Sequence, residues 1–214
     1  MRKLCFSFLV LAVVLTVGIT PAVGQGTAGA ASSRQASPAA AASFNVRQAA
    51  AAELQEAQQE LLSLARAMPA DKYTWRPSEG VRSVAEVYLH VAAGNFGLTA
   101  LAGAPAKPGF KFQGYEKSTT DKTQIIEQLT QSFEFARSGI SGISDADLTK
   151  PVKWAQYPTV GDVILHIVAH AHEHLGQSIA YARMNGIVPP WTAAQQQRQA
   201  AAAGQQTPQR PPQE

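Results

Sequence analysis

Four histidines crowd into nine residues of this chain, His166-Ile-Val-Ala-His170-Ala-His172-Glu-His174. At about 100° per residue, a step of four advances only about 40° around a helix, so His166, His170 and His174 share one stripe while His172 points away. The stripe continues to Val163 on one side and to Gln177 and Tyr181 on the other, so the imidazoles share a face with apolar groups and look into a core. A polar group buried there without a hydrogen bond costs about 1 to 3 kcal/mol, and a charged one costs more. A fold containing this segment must therefore supply the histidines with partners from another element.

Those partners come from helices. Leu54, Ala57, Leu61, Leu64 and Met68 repeat at steps of three and four and define a first amphipathic helix ending near Pro69. A second opens on the capping box Ser83-x-x-Glu86, passes Val84, Val87, Val91 and Leu98, and stops near Ala102 before a Pro/Gly loop over 103–114. The third begins near Thr120 and presents Ile126, Leu129, Phe133, Ala136 and Ile140 until Gly139, Gly142 and Asp145 break it. The histidine helix itself is capped by Thr159-x-x-Asp162 and closes at Asn185-Gly186 ahead of Pro189-Pro190. With no convincing strand, the expected fold is all-α, a four-helix bundle occupying 44–192 as one domain.

In such bundles metal sites are built from inward side chains on facing helices. On the second helix Glu86, His90, Gly94 and Gly97 fall within a narrow arc, and the glycines remove bulk where a cavity would form. His90 is thus the natural third partner for the i, i+4 pair His170 and His174. Neutral imidazole suits zinc, nickel, iron and copper, so one divalent ion would satisfy all three rings. The alternative is a hydrogen-bonded polar seam without metal. His166, a turn nearer the helix start, is either a competing ligand or an outer donor to the site. Glu86 and Glu173 are the carboxylates near the stripe, candidates for a general base, although Glu86 also completes a capping box. His172-Glu173-His174 is not a zincin motif, because its second histidine would fall on Gly176.

The ends carry other signals. Arg2 and Lys3 precede an apolar run from Leu4 to Ile19, and Ala22-Val23-Gly24 offers a cleavage site, so 1–24 is expected to be a secretory signal peptide. The run is shorter than the roughly 20 apolar residues that span a bilayer, so no membrane span is expected after cleavage. The protein would then be exported, periplasmic or secreted. Cys5, the single cysteine, lies within that leader, which leaves no disulfide, thiolate zinc site or cysteine nucleophile. Without Arg2 and Lys3 the formal charge of +3 falls to +1, and no basic run remains to bind nucleic acid. The segments 25–43 and 193–214, rich in Ala, Gly, Ser, Gln and Pro, are expected to be a flexible linker and a disordered tail.

Three stretches together resemble the DinB-like (DinB/YfiT-type) metal-binding four-helix bundle proteins: Tyr73-Thr-Trp75-Arg-Pro77 followed by Ser83-Val-Ala-Glu86 and His90; His166-x3-His170-x3-His174; and Leu175-Gly176-Gln177 through Tyr181-x-Arg183-x-x-Gly186 to Pro189-Pro190. The resemblance implies an up-down-down-up bundle with a long crossing connection, frequently dimeric. It also implies a divalent ion, zinc or nickel foremost, on His90, His170 and His174. Some relatives are thiol-dependent transferases or isomerases, a chemistry at odds with export because low-molecular-weight thiols are kept reduced mainly in the cytosol. Three protein ligands leave one position of a tetrahedral ion open, so metal-dependent hydrolysis of a small substrate is the expected activity. The competing expectations are a non-catalytic, metal-stabilised envelope module and a metal-free helical partner-binding protein.

Overall fold

The computed structural model describes residues 44–205. The expected signal peptide 1–24, the linker 25–43 and the last part of the tail, 206–214, lie outside the described residues. Among the described residues five α-helices follow one another: α1 Val46–Ala67, α2 Val84–Leu101, α3 Lys122–Gly142, α4 Val160–Met184 and α5 Pro190–Gln205. Among the described residues none is long and apolar enough to cross a membrane.

Each long helix starts where a short polar side chain can accept its first orphan N–H groups. Asn45 accepts from Arg47 and Gln48 at α1, and Asp121 accepts from Gln124 at α3. Ser83 with Glu86 and Thr159 with Asp162 form full capping boxes at α2 and α4. Gly186, at φ 74°, follows the end of α4 in the left-handed conformation that glycine adopts without Cβ strain.

α2 packs on α3 and α4, and α1 packs on the same two, so α1 and α2 lie on one diagonal of the bundle and α3 and α4 on the other. The side-chain pairs give the directions. Arg47 meets Asp145, Arg137 meets Gln55, and Lys122 reaches the carbonyls of Arg66 and Met68, so α1 and α3 run antiparallel. Buried Asn95 donates to Ser132, and Thr99 lies against Gly139, so α2 and α3 run parallel. Tyr181 reaches the carbonyl of Arg82, so α4 opposes α2. The result is up-down-down-up. Parallel neighbours cannot be joined by a tight turn, and the chain crosses the bundle from α2 to α3 over 102–121, with a 3-10 turn at Tyr115–Lys117 packed on α2.

This cover explains why α2 is buried on nearly every side, from Val84 and Val87 through Tyr88, Val91 and Phe96 to Thr99. A helix that is apolar all round is one with neighbours all round. Leu54, Ala57, Leu61 and Leu64 face the core from α1, with no exposed surface.

The structure departs from the sequence reading in three places. The core stripe of α3 begins at Ile125, wholly buried, while Ile126 is half-buried. Gly139 lies inside α3 and does not end it: a Cβ there would stand 2.4 Å from the Thr99 methyl, so the glycine allows α2 and α3 to approach. Residues 193–205, expected in the disordered tail, belong to α5. Its Ala, Gln and Arg residues favour a helix, and Pro190 suits the first helical position. Trp191 packs on the core while α5 from Gln195 to Gly204 is exposed.

Candidate metal centre

His90 from α2 and His170 and His174 from α4 converge, each offering a ligand atom within 4.8 Å of the others. The Nε2 atoms of His90 and His170 are 3.0 Å apart, and the ring centroids of the three lie 4.6 to 4.8 Å from one another. Two nitrogens on a tetrahedral ion at 2.0 to 2.1 Å are about 3.3 Å apart, so the widest pair must close by about 1.5 Å to share an ion. His170 and His174 are 9 and 6 % exposed.

The hydrogen bonds select the tautomers. His174 Nδ1 lies 2.8 Å from Gln177 Oε1, an acceptor only, so it carries the proton and leaves the Nε2 lone pair free. His90 Nδ1 lies 2.5 Å from Glu116 Oε1 and donates to it in the same way. Both rings therefore turn Nε2 into the cluster. Buried His170 Nδ1 has no hydrogen-bond partner, an orphan whose neighbour is the backbone of Gly94. A Cβ at Gly94 would stand 2.5 Å from His170 Cε1, so the glycine makes the cradle in which this ring sits.

Burial pushes His170 down to about 3, with the neighbouring His174 and His90 adding to the effect. Burial also lowers His90, against the opposing pull of the Glu116 carboxylate. Rings so shifted are neutral at neutral pH, the form that coordinates metals. Three converging imidazoles, two with Nδ1 fixed by an oxygen acceptor and one in a glycine cradle, form a donor set that fits a single divalent cation.

Glu116, which the sequence reading missed, comes from the crossing connection. Burial raises its carboxyl, but hydrogen bonds from Arg82 and His90 outweigh that and hold it below the usual carboxylate range. Arg82 grips it with two bonds, Nε to Oε2 at 2.8 Å and Nη2 to Oε1 at 3.1 Å. On the other side Gln177 donates to Tyr181 Oη at 3.1 Å, and Tyr181 donates to the Arg82 carbonyl at 3.1 Å. A cleft of about 540 Å³ adjoins these groups, lined by Arg76, Arg82, Glu86, Glu116, Lys117 and Gln177. None of the three histidines lines this cleft itself, nor a roomier cavity of about 640 Å³ near Phe96, Lys107 and Phe135. We take the polar cleft as the one relevant to the centre, because it shares Glu116 and Gln177 with it.

The remaining residues singled out from the sequence stand apart from the cluster. His166 stacks on Tyr157, with ring centroids 4.2 Å apart, and meets Trp154 edge-on, while its ring centre is 6.0 Å from that of His170. It makes no hydrogen bond to the three histidines, so the structure places it in an aromatic cluster beside the site. Glu86 accepts from the Ser83 N–H at 2.7 Å and pairs with Arg76 at 3.3 Å, leaving it engaged at the helix start. Glu173 is exposed. Neither carboxylate belongs to the cluster, because one is committed to its capping box and the other follows the helical turn into solvent. His172 faces Glu53 at 3.4 Å, away from the stripe. Gly97 borders Phe112 and not the histidines.

Comparison with known proteins places this geometry in a family. The profile of the DinB superfamily matches residues 53–178, which run from within α1 through most of α4 and include all three histidines. The fold is similar to a crystal structure of a DinB-like protein from Bacillus cereus, with 16 % identity and a TM-score of 0.56, covering 68 % of this chain and 93 % of that one. A conserved protein from Enterococcus faecalis matches at 16 % identity and TM-score 0.51, over 66 and 97 % of the two chains. A candidate DinB family member from Exiguobacterium sibiricum matches at 19 % and 0.54, over 67 and 93 %. No curated protein matches the sequence.

Proposed function

The chain belongs to the DinB superfamily, and on that premise we propose that it binds one divalent metal ion on His90, His170 and His174 and uses it to hydrolyse a small substrate. One observation carries the reading: three imidazoles from two helices, those of His170 and His174 buried and that of His90 half-buried, present ligand atoms within 4.8 Å, with Nδ1 of two of them engaged by an oxygen acceptor so that Nε2 faces the cluster. Imidazole suits zinc, nickel, iron and copper alike, and the family resemblance puts zinc or nickel first. An ion held by these three residues would supply Lewis acidity and activate water for hydrolysis.

The chain's own residues do the rest. Glu116 and Gln177 hold the ligand rings in orientation by taking the Nδ1 protons. Gly94 leaves room for His170, and the packing of α2 and α4 buries the rings of His170 and His174. In the adjoining cleft Arg76 pairs with Glu86 and Arg82 with Glu116, and Lys117 adds one further positive charge, a lining that suits a polar substrate. We further propose that the chain is exported by the segment 1–24, so that this chemistry operates outside the cytoplasm.

A specific observation favours a second reading, a metal-stabilised module without catalysis. Glu86 and Glu116 are both consumed by hydrogen bonds and Glu173 is exposed, so no carboxylate near the stripe stands free to act as a base. Elemental analysis of untagged protein, with His90→Ala, His170→Ala and His174→Ala in parallel, tests metal binding; wild-type protein without stoichiometric metal after equilibration with zinc or nickel would refute both readings. A panel of esters, amides, lactones and phosphoesters then separates them. Turnover lost in all three variants supports hydrolysis, and a metal-loaded protein inert to the whole panel supports the structural role.

A further inference from the structure

We propose that Arg82 is the positioning residue of the metal centre, orienting His90 through its side chain and His174 through its main chain. The inference rests on the metal reading above and deepens it. Arg82 sits one residue before the α2 cap, where the chain turns into the helix that carries His90. Its guanidinium fork spans both oxygens of Glu116, at 2.8 and 3.1 Å, and Glu116 Oε1 accepts from His90 Nδ1 at 2.5 Å. Its carbonyl accepts from Tyr181 Oη at 3.1 Å, which in turn accepts from Gln177 Nε2 at 3.1 Å, and Gln177 Oε1 accepts from His174 Nδ1 at 2.8 Å. Two chains of directed hydrogen bonds, one from each ligand helix, thus end on one residue.

The chemistry of each link leaves little freedom. A carboxylate gripped at both oxygens by a planar fork cannot rotate, and its shared oxygen then fixes the plane and tautomer of the imidazole it bonds. A lysine at position 82 would keep the charge but could not span two oxygens. In the other chain the roles are fixed by one another: Tyr181 Oη donates to the Arg82 carbonyl and accepts from Gln177 Nε2, so Gln177 turns its oxygen to His174. Glu116 lies in the crossing connection, so the same fork also pins that connection to α2. His170 has no such arm, its Nδ1 having no partner, and depends on packing in the Gly94 cradle.

The test measures cobalt(II) binding to the full chain by competition with a chelator, together with the visible d–d absorption of the bound ion. The proteins are wild type, Arg82→Ala, Arg82→Lys, Glu116→Gln and Tyr181→Phe. Loss of an outer partner of a ligating histidine typically weakens metal binding by about 10- to 100-fold. Arg82→Ala and Glu116→Gln should both fall in that range with an altered absorption band, and Arg82→Lys should fail to restore wild-type affinity. Tyr181→Phe, which cuts only the His174 chain, should weaken binding and shift the band independently. Thermal unfolding of each metal-free variant checks the fold, and Arg82→Lys and Glu116→Gln carry the test if Arg82→Ala does not fold. Folded Arg82 and Tyr181 variants that bind cobalt within twofold of wild type, with an unchanged spectrum, would overturn the inference while leaving the metal reading intact. A wild-type protein that binds no cobalt or zinc would overturn the metal reading itself.

Discussion

Adding a single methyl group at Gly94 should disable the centre while leaving the bundle standing. In Gly94→Ala the new Cβ would lie 2.5 Å from His170 Cε1, 2.9 Å from Nδ1 and 3.3 Å from Nε2. Carbon atoms in contact prefer about 3.5 to 4.0 Å, so the ring must retreat by about 1 Å. Coordination distances tolerate only about 0.2 Å, and His170 would leave the ligand set. The fold pays less: overpacking costs about 1 to 3 kcal/mol, offset by about 1 kcal/mol of improved helix propensity.

The loss shows up in metal-linked stability. At zinc 1,000-fold above the wild-type Kd, binding stabilises the native state by about 4.1 kcal/mol. An affinity about 100-fold weaker leaves about 1.4 kcal/mol, from the same linkage relation. For a domain of this size the difference of about 2.7 kcal/mol corresponds to a zinc-induced rise in Tm smaller by about 5 to 11 °C. Gly97→Ala is the control, because its Cβ would meet Phe112 at 3.5 Å, an ordinary contact, and nothing at the histidines. Thermal unfolding with and without zinc reads both variants. A Gly94→Ala protein that keeps the wild-type zinc shift would refute the cradle argument.

Three other measurements probe the fold and its electrostatics. Metal-free protein should lose stability as the pH falls from about 6.5 towards 3: His170 is held at about 3 when folded, so the unfolded chain binds a proton there that the native state does not. Urea unfolding at pH 7.5 and 5.0 should show a loss of about 2 kcal/mol at the lower pH from this group, with no gain on acidification. Phe133→Ala, at a fully buried position of α3, should destabilise by about 3 to 5 kcal/mol in the same assay. Ser83→Ala removes the side chain that accepts from the Glu86 N–H and should cost about 1 kcal/mol, with circular dichroism at low urea still showing a native helix content.

Much of the centre could be read before any tertiary structure, because helical geometry is local. The spacing of His170 and His174 places them on one face whatever they face, and the arc from His90 to Gly94 marks small residues beside a histidine. The helix starts followed equally from Ser83 and Thr159, whose caps depend on residues three positions away. Errors arose where two neighbours compete for one face. Ile125 and Ile126 differ by a single helical step, and only packing on α1 and α2 decides which goes inside. Gly139 looks like a helix breaker until Thr99 is seen against it.

Glu116 illustrates the limit. It lies 26 residues from His90 in a Gly/Pro-rich connection with no periodicity, and Lys111, Glu116 and Lys117 look alike as exposed loop charges. A crossing connection was expected, but not which of its side chains would land on the ligand. The sequence by itself determined the four long helices, their caps and the histidine stripe, because each depends on residues within a turn or two. Only the tertiary structure decided that Glu116, Arg82 and Tyr181 close around the imidazoles, that His166 turns to Tyr157 and Trp154, and that Glu86 and Glu173 stand apart. Those outcomes depend on how distant segments cross in space, which no local spacing encodes.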